Sequence, residues 1–125
     1  MIYDNQRQLT EGLKKWVKIL HLEDWEITAE LVPQGTWTER LQCADCGIRS
    51  ARYSAHIRLA TFITLDIIDA PNQADMERSL VHELMHCVFR QNHLSDDMSQ
   101  AQYRYYEHAI EQTARAFVEL NRCVK

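Results

Sequence analysis

The fold is decided by residues 75 to 90, Asp75-Met-Glu-Arg-Ser-Leu-Val-His-Glu-Leu-Met-His-Cys-Val-Phe-Arg90. Their apolar side chains recur at helical spacing over a broad surface, which predicts a buried central helix from about residue 73 to residue 90. The preceding Ala70-Pro71-Asn72 interrupts the chain, and it offers Asn72 as the N-cap with Asp75 in the first turn. We therefore expect the rest of the chain to pack around this helix.

Two histidines and a glutamate lie within the predicted central helix. His82 and His86 are four positions apart, so they share one face and lie close enough to bind one metal ion. Glu83 points to the side, where its carboxylate reaches a water on that metal. H-E-x-x-H on a helix is the pattern of zinc hydrolysis, because zinc binds imidazole nitrogen readily and the glutamate takes the proton of the water. Burying these groups among apolar side chains is costly unless a partner such as a metal pairs them.

The third ligand decides the class of zinc site. A metzincin carries a third histidine in H-E-x-x-H-x-x-G-x-x-H, whereas His93 here lacks the glycine before it and lies one position too far along. Glu107 and Glu111 instead lie one turn apart on the flank of a predicted last helix. Their order favours Glu107 as the third ligand and Glu111 as the acceptor of a histidine N–H, with the reverse assignment also open.

The sequence before the central helix is predicted to form one helix followed by strands. Residues 5 to 22 show helical spacing and form a helix, capped by Asn5 or Thr10, that covers a sheet. Residues 24 to 32 alternate as a half-buried strand that ends at Pro33. Residues 50 to 66 alternate strongly and predict one long strand or a hairpin with a break near Ala60, and an edge strand at this place could pair with an extended peptide.

The last helix is predicted to be long, with Ser95 or Asp97 as its cap and its end near Asn121. Its expected core stripe comprises Tyr103, Tyr106, Ile110, Thr113, Ala114, Phe117 and Leu120.

Cys43 and Cys46 have C-x-x-C spacing, which occurs in half of a four-cysteine zinc site and in redox pairs. The second C-x-x-C is missing, because Cys87 and Cys123 are far apart in the chain, and no thioredoxin-like pattern is present. Within residues 36 to 50, Trp37 and Leu41 could belong to a short strand or a loop. The C-x-x-C segment is predicted to form a surface loop with incidental thiols rather than a metal or redox site. Both thiols could still line a substrate cleft.

Length and composition indicate one globular domain over residues 1 to 125, with 46% hydrophobic residues and only three glycines and two prolines. The net charge of −4 gives no general attraction to nucleic acid or anionic membrane. Arg49, Arg52 and Arg58 could form a modest basic patch, but a solvated strand face explains them better.

Since no apolar run reaches membrane-spanning length and no signal peptide is evident, we expect an intracellular, cytoplasmic protein with reduced cysteines and no membrane or nucleic-acid partner.

At its two helical motifs the chain resembles the small zincin-like metallopeptidases of phages and mobile elements. The resemblance lies in His82-Glu-Leu-Met-His86, preceded by Ser-Leu-Val, and in Tyr106-Glu-His-Ala-Ile-Glu111-Gln-Thr-Ala-Arg-Ala-Phe117. The order of helix, Trp-Glu-Ile strand, alternating strand, motif helix and acidic helix is also similar. The second motif is similar, too, to metallopeptidases that cleave phage-type repressors. The resemblance implies a minimal zincin-like fold with one zinc and a phage or prophage origin.

These observations predict an α+β protein with three main helices and about three strands. His82, His86 and Glu107 would bind Zn²⁺, and Glu83 would act as the general base for a zinc-bound water that hydrolyses a peptide bond in a peptide or protein substrate. His93 and Tyr106 are candidates for holding the oxyanion. The alternative hypothesis is a non-catalytic interaction module of phage and host in which zinc ties two helices together.

Overall fold

The computed structural model describes residues 1–33, 43–61, 75–89 and 99–124. Within these ranges the three α-helices and the three-stranded sheet confirm the predicted α+β class. In chain order the elements are α1 (Gln6–Ile19), β1 (Glu26–Val32), β2 (Ala44–Arg49), a 3₁₀ turn (Ser50–Arg52), β3 (Ser54–Ala60), α2 (Met76–Phe89) and α3 (Gln100–Cys123).

The sheet has the order β1-β3-β2, with β3 parallel to β1 and antiparallel to β2. The alternation expected after residue 50 is present in β3, where Ala55, Ile57 and Leu59 are buried. The expectation that this segment supplies an edge strand is wrong for residues 54–60. Strand β3 is the central strand, because β1 and β2 pair with its two edges. Alternation reports which face of a strand is buried, and it carries no information about the strand's neighbours. Residues 62–66 of the predicted strand lie outside the described ranges.

The loop expected around the C-x-x-C motif is wrong for residues 44–49, which form β2. Cys46 pairs with Ile57 and Gly47 with His56 in the antiparallel register. The segment Ala-Asp-Cys-Gly-Ile-Arg has low β-propensity, so pairing with β3 rather than local preference makes it a strand. Residues 36–42 of the predicted loop are not described.

Helix α1 begins at the predicted cap, since the Asn5 side chain accepts a hydrogen bond from the Gln8 backbone N–H at 2.9 Å. It ends at Ile19 rather than residue 22, because the chain adopts a positive φ of 57° at His21 and leaves the helix. Leu9 and Trp16 lie on its buried face, as its apolar spacing predicts.

Helix α2 is the buried central helix that the sequence predicts, although it begins at Met76 and not near residue 73. The Asp75 carboxylate accepts the backbone N–H of Arg78 at 3.2 Å, so Asp75 occupies the place of the N-cap. The predicted cap Asn72 and the predicted last residue Arg90 lie outside the described residues.

Helix α3 is capped by Ser99, which forms a capping box with Gln102. The predicted caps Ser95 and Asp97 are not among the described residues. The predicted core stripe is partly wrong, because Ile110, Ala114 and Val118 are the buried residues of this helix. Exposed members of that stripe are Tyr103, Phe117 and Leu120. The helix is rotated so that the flank with the two glutamates faces α2, with Glu107 and Glu111 both in contact with His82.

The core lies between one face of the sheet and the helices, with Trp16, Ile57, Leu80, Leu84, Ile110 and Val118 at most 2% exposed. Of the helices that the structure describes, none has the length and apolar composition needed to cross a bilayer.

Candidate metal centre

Helix α2 presents His82 and His86 on one face, one turn apart, as their spacing requires. Their ring centroids are 5.2 Å apart, and their side chains are 16% and 13% exposed. This face is turned toward α3, which packs along α2. The two imidazoles are therefore largely enclosed between two helices.

Glu107 on α3 bridges the two histidines. One carboxylate oxygen lies 3.1 Å from His82 Nε2 and the other lies 3.3 Å from His86 Nε2. One ligand atom from each of the three residues lies within 4.8 Å of the others. The structure thus brings together the three side chains that the sequence predicts as metal ligands.

Glu111, one turn further along α3, contacts the other nitrogen of His82. Its carboxylate oxygen lies 2.6 Å from Nδ1, and Arg78 Nη2 lies 3.3 Å from its second oxygen. Since an ionised carboxylate only accepts hydrogen bonds, Nδ1–H of His82 donates to Glu111. This contact orients the ring with Nε2 toward Glu107 and His86, which is the arrangement of a ligand histidine held by a neighbouring carboxylate.

The two histidines differ in their electrostatic environment. Burial acts to lower the pKa of His82, but hydrogen bonds to Glu107 and Glu111 outweigh it and raise that pKa to about 10. Burial lowers the pKa of His86 to about 4, so this imidazole is neutral at pH 7. A neutral imidazole is the protonation state that binds a metal.

Glu83 is one of two buried acidic residues in the described parts of the chain, with 8% of its surface exposed. Its Oε1 lies 4.0 Å from His86 Nε2. Burial raises the pKa of Glu83 to about 7; the charge of His82 opposes this shift, and the charges of Glu107 and Asp45 add to it. A carboxylate with a pKa near neutrality has the basicity that general-base catalysis at pH 7 requires.

The donor set fits a zinc ion. Zinc prefers imidazole nitrogen and carboxylate oxygen, and three protein ligands are typical of catalytic zinc sites whereas four are typical of structural ones. The described residues supply three such donors in one group. The site also collects the carboxylates of Glu83, Glu107 and Glu111 in a half-enclosed space, where a divalent cation would offset their mutual repulsion.

Three contributors to the site were not predicted from the sequence. Tyr103 hydrogen-bonds Glu107, and burial followed by the charge of Glu107 raises the pKa of its hydroxyl. Arg78 pairs with Glu111, and Asp45 on β2 adds negative charge near Glu83. Helical spacing could have indicated two of them, because Tyr103 precedes Glu107 by four positions and Arg78 precedes His82 by four.

Of the two residues predicted to hold the oxyanion, His93 and Tyr106, the structure describes only Tyr106. His93 falls within residues 90–98, which are not described. Tyr106 packs edge-on against Phe89, with ring centroids 6.1 Å apart, and its buried hydroxyl has no hydrogen-bond partner among the described residues. The predicted role of Tyr106 as an oxyanion donor stays a prediction.

The cysteines do not join the three-donor group. The Cys43 Sγ lies 3.9 Å from the Ser79 hydroxyl. Cys46 on β2 contacts the buried Cys87 on α2, and this contact, followed by burial, raises the pKa of Cys46. The C-x-x-C spacing therefore does not describe a contact pair, since Cys46 is paired across the fold with Cys87.

Comparison of the chain with protein-family models, with curated proteins and with solved structures finds no match. The resemblance to zincin-like metallopeptidases thus rests on the residues quoted above.

Proposed function

We propose that this chain is a zinc-dependent metallopeptidase of the zincin-like type. The observation that supports it most strongly is the convergence of His82, His86 and Glu107 to within 4.8 Å, with the buried Glu83 beside them. The two histidines come from one helix and the third donor from another, so only the folded chain assembles the set.

In this proposal His82, His86 and Glu107 would hold the metal. Zinc, when bound, supplies a Lewis acid that lowers the pKa of water and polarises a carbonyl group. The Glu111 carboxylate fixes the ring of His82 through Nδ1, and Arg78 in turn holds Glu111. Orientation by such a chain of contacts keeps the donors in place without reorganisation during the reaction.

Glu83 moves the proton. Its carboxylate takes a proton from the attacking water as the oxygen adds to the peptide carbonyl, and it then gives that proton to the departing amine. Burial, which raises the pKa of Glu83 to about 7, makes both transfers accessible near neutral pH. The products are a carboxylic acid and an amine, so the atoms of water and peptide are accounted for.

In this proposal the chain acts in the cytoplasm of a cell or phage-infected cell, where its four cysteines would stay reduced. The competing hypothesis, a zinc-stabilised interaction module without catalysis, predicts a fourth protein ligand that closes the site. Cys87 is not that ligand, because it packs against Cys46 and lies outside the three-donor group.

The test is hydrolysis of a mixed peptide library by the zinc-loaded chain, with cleavage detected by mass spectrometry. We expect wild type to cleave a subset of peptides and Glu83→Gln to bind zinc equally but lose cleavage by roughly 100-fold or more. The matched control is Glu119→Gln, which changes an exposed glutamate on α3 and should cleave like wild type.

Equal cleavage by Glu83→Gln and wild type would contradict the role of Glu83. A zinc-loaded wild type that cleaves no peptide of the library would favour the interaction module.

A further inference from the structure

The sheet face turned away from the helices carries a polar network that the metal centre does not use. On this face the register aligns Thr28, His56 and Gly47 across β1, β3 and β2. The neighbouring row consists of Glu26, Ser54 and Arg49. Side chains on this face are mostly exposed, in contrast to Ile57 and Leu59 on the opposite face.

His56 lies between a hydroxyl and a carboxylate. Thr28 Oγ1 is 2.6 Å from His56 Nδ1, and Glu30 Oε1 is 2.8 Å from His56 Nε2. With a neutral imidazole, the carboxylate can only accept, so Nε2–H donates to Glu30 and Nδ1 accepts from the Thr28 hydroxyl. Both distances lie in the range expected for a hydroxyl nucleophile, its base and the group that orients the base.

A trough of about 550 Å³ gives access to this hydroxyl. Thr28, His56 and Arg49 line it together with Gly47. A Cβ at Gly47 would meet nothing within 4 Å, so the glycine leaves open space beside the imidazole. Arg49, which also lines the trough, provides a cation for the negative charge that develops when a nucleophile adds to a carbonyl.

We propose that Thr28 is a His56-activated nucleophile that accepts an acyl group from an activated carboxylic ester bound in this trough. Glu30 is the positioning residue, because it holds His56 with Nδ1 free to accept the hydroxyl proton. This acyl-transfer site uses none of the residues of the metal centre.

The step balances without a co-reactant. Thr28 Oγ1 forms a bond to the ester carbonyl carbon as its proton moves to His56 Nδ1. The bond between that carbon and the alkoxy or aryloxy oxygen then breaks, and the leaving group departs with the bonding electrons and takes the proton from His56. The product is an ester of Thr28, which water can hydrolyse by the same route with His56 as base.

The test uses p-nitrophenyl acetate on the full chain, with release of p-nitrophenol followed by absorbance and the adduct located by peptide mass spectrometry. We expect an acetyl group on Thr28. Thr28→Val, which keeps the β-branched shape and removes the hydroxyl, should abolish that adduct, whereas Thr28→Ser should retain it. His56→Gln should slow acetylation roughly 100-fold or more. Glu30→Gln should slow it less, because it removes only the positioning contact.

Thr113→Val is the matched control, since the Thr113 hydroxyl donates to the Ala109 carbonyl within its own helix. It should be acetylated at Thr28 like wild type, and so should wild type treated with a zinc chelator. The proposal is overturned if acetyl groups appear only on amines, if Thr28 is not acetylated, or if His56→Gln is acetylated at the wild-type rate.

Discussion

The Nδ1 atom of His82 lies 2.6 Å from a carboxylate oxygen of Glu111, so one imidazole is held by α3 at both of its nitrogens. Its Nε2 atom faces Glu107 at 3.1 Å. The two glutamates, one turn apart, thus take different roles toward the same ring. Glu107 would therefore bind the metal, whereas Glu111 orients His82, which is one of the ligands.

Removing the orienting contact should weaken metal binding without abolishing it. We expect Glu111→Ala to lower zinc affinity about 10- to 100-fold, the usual effect of losing a group that orients a ligand histidine. Competition with a chromophoric chelator measures this affinity, with Glu119→Ala as the control on an exposed site of the same helix. Unchanged affinity in Glu111→Ala would contradict the orienting role, and complete loss of zinc would favour the reverse assignment of the two glutamates.

Glu77 should make stability depend on acid pH. It is 2% exposed and accepts hydrogen bonds from Trp16 Nε1 at 2.9 Å and Arg122 Nη2 at 2.9 Å, while Lys15 Nζ lies at 3.3 Å. Burial acts to raise its pKa, but these partners outweigh burial and hold the pKa below the ordinary value of 4.5. The folded chain therefore gains stability from Glu77 above pH 4.5 and loses it as the pH falls through the lowered pKa.

The variant Glu77→Gln should lose roughly 1–3 kcal/mol of unfolding free energy at pH 7. This loss is smaller than the loss from breaking a fully buried ion pair, because the cations that pair with Glu77 are partly exposed. As the pH falls through the lowered pKa of Glu77, wild type and variant should converge in urea unfolding. Glu11→Gln, which alters an exposed pair with Arg7, serves as the control and should have little effect at either pH. A stability difference for Glu77→Gln that stays constant between pH 7 and pH 3 would contradict this role.

The positions of the helices could be predicted from the sequence because amphipathic spacing and histidine spacing are local properties. Glu107 and Glu111 were predicted on the same grounds, as polar residues that border an apolar stripe. Strand β2 was missed because Asp45 and Gly47 oppose a strand, and only pairing with β3 overrides them. The rotation of α3, which exposes Phe117 and buries Val118, depends on the surface of α2 and has no local signature.

Position 12 should require glycine because a larger side chain would clash with its neighbours, not because the backbone there needs an unusual conformation. A Cβ at this position would lie 2.7 Å from Cζ of the buried Tyr3 ring. Gly12→Ala should therefore destabilise the fold, although alanine by itself favours a helix by about 1 kcal/mol over glycine. In a Tyr3→Ala background the same change should stabilise the protein, since only the helix preference is left. Urea unfolding of wild type, the two single variants and the double variant measures this coupling. If Gly12→Ala changed the unfolding free energy in the same direction in both backgrounds, the Tyr3 contact would be ruled out.

The metal content of the purified, zinc-loaded chain tests the three-donor centre most directly, by elemental analysis of wild type, Glu107→Ala and Glu111→Ala at equal protein concentration. We predict one zinc per wild-type chain, none retained after buffer exchange in Glu107→Ala, and zinc still present in Glu111→Ala. Wild type without zinc, or zinc retained at full stoichiometry in Glu107→Ala, would contradict a metal centre formed by His82, His86 and Glu107.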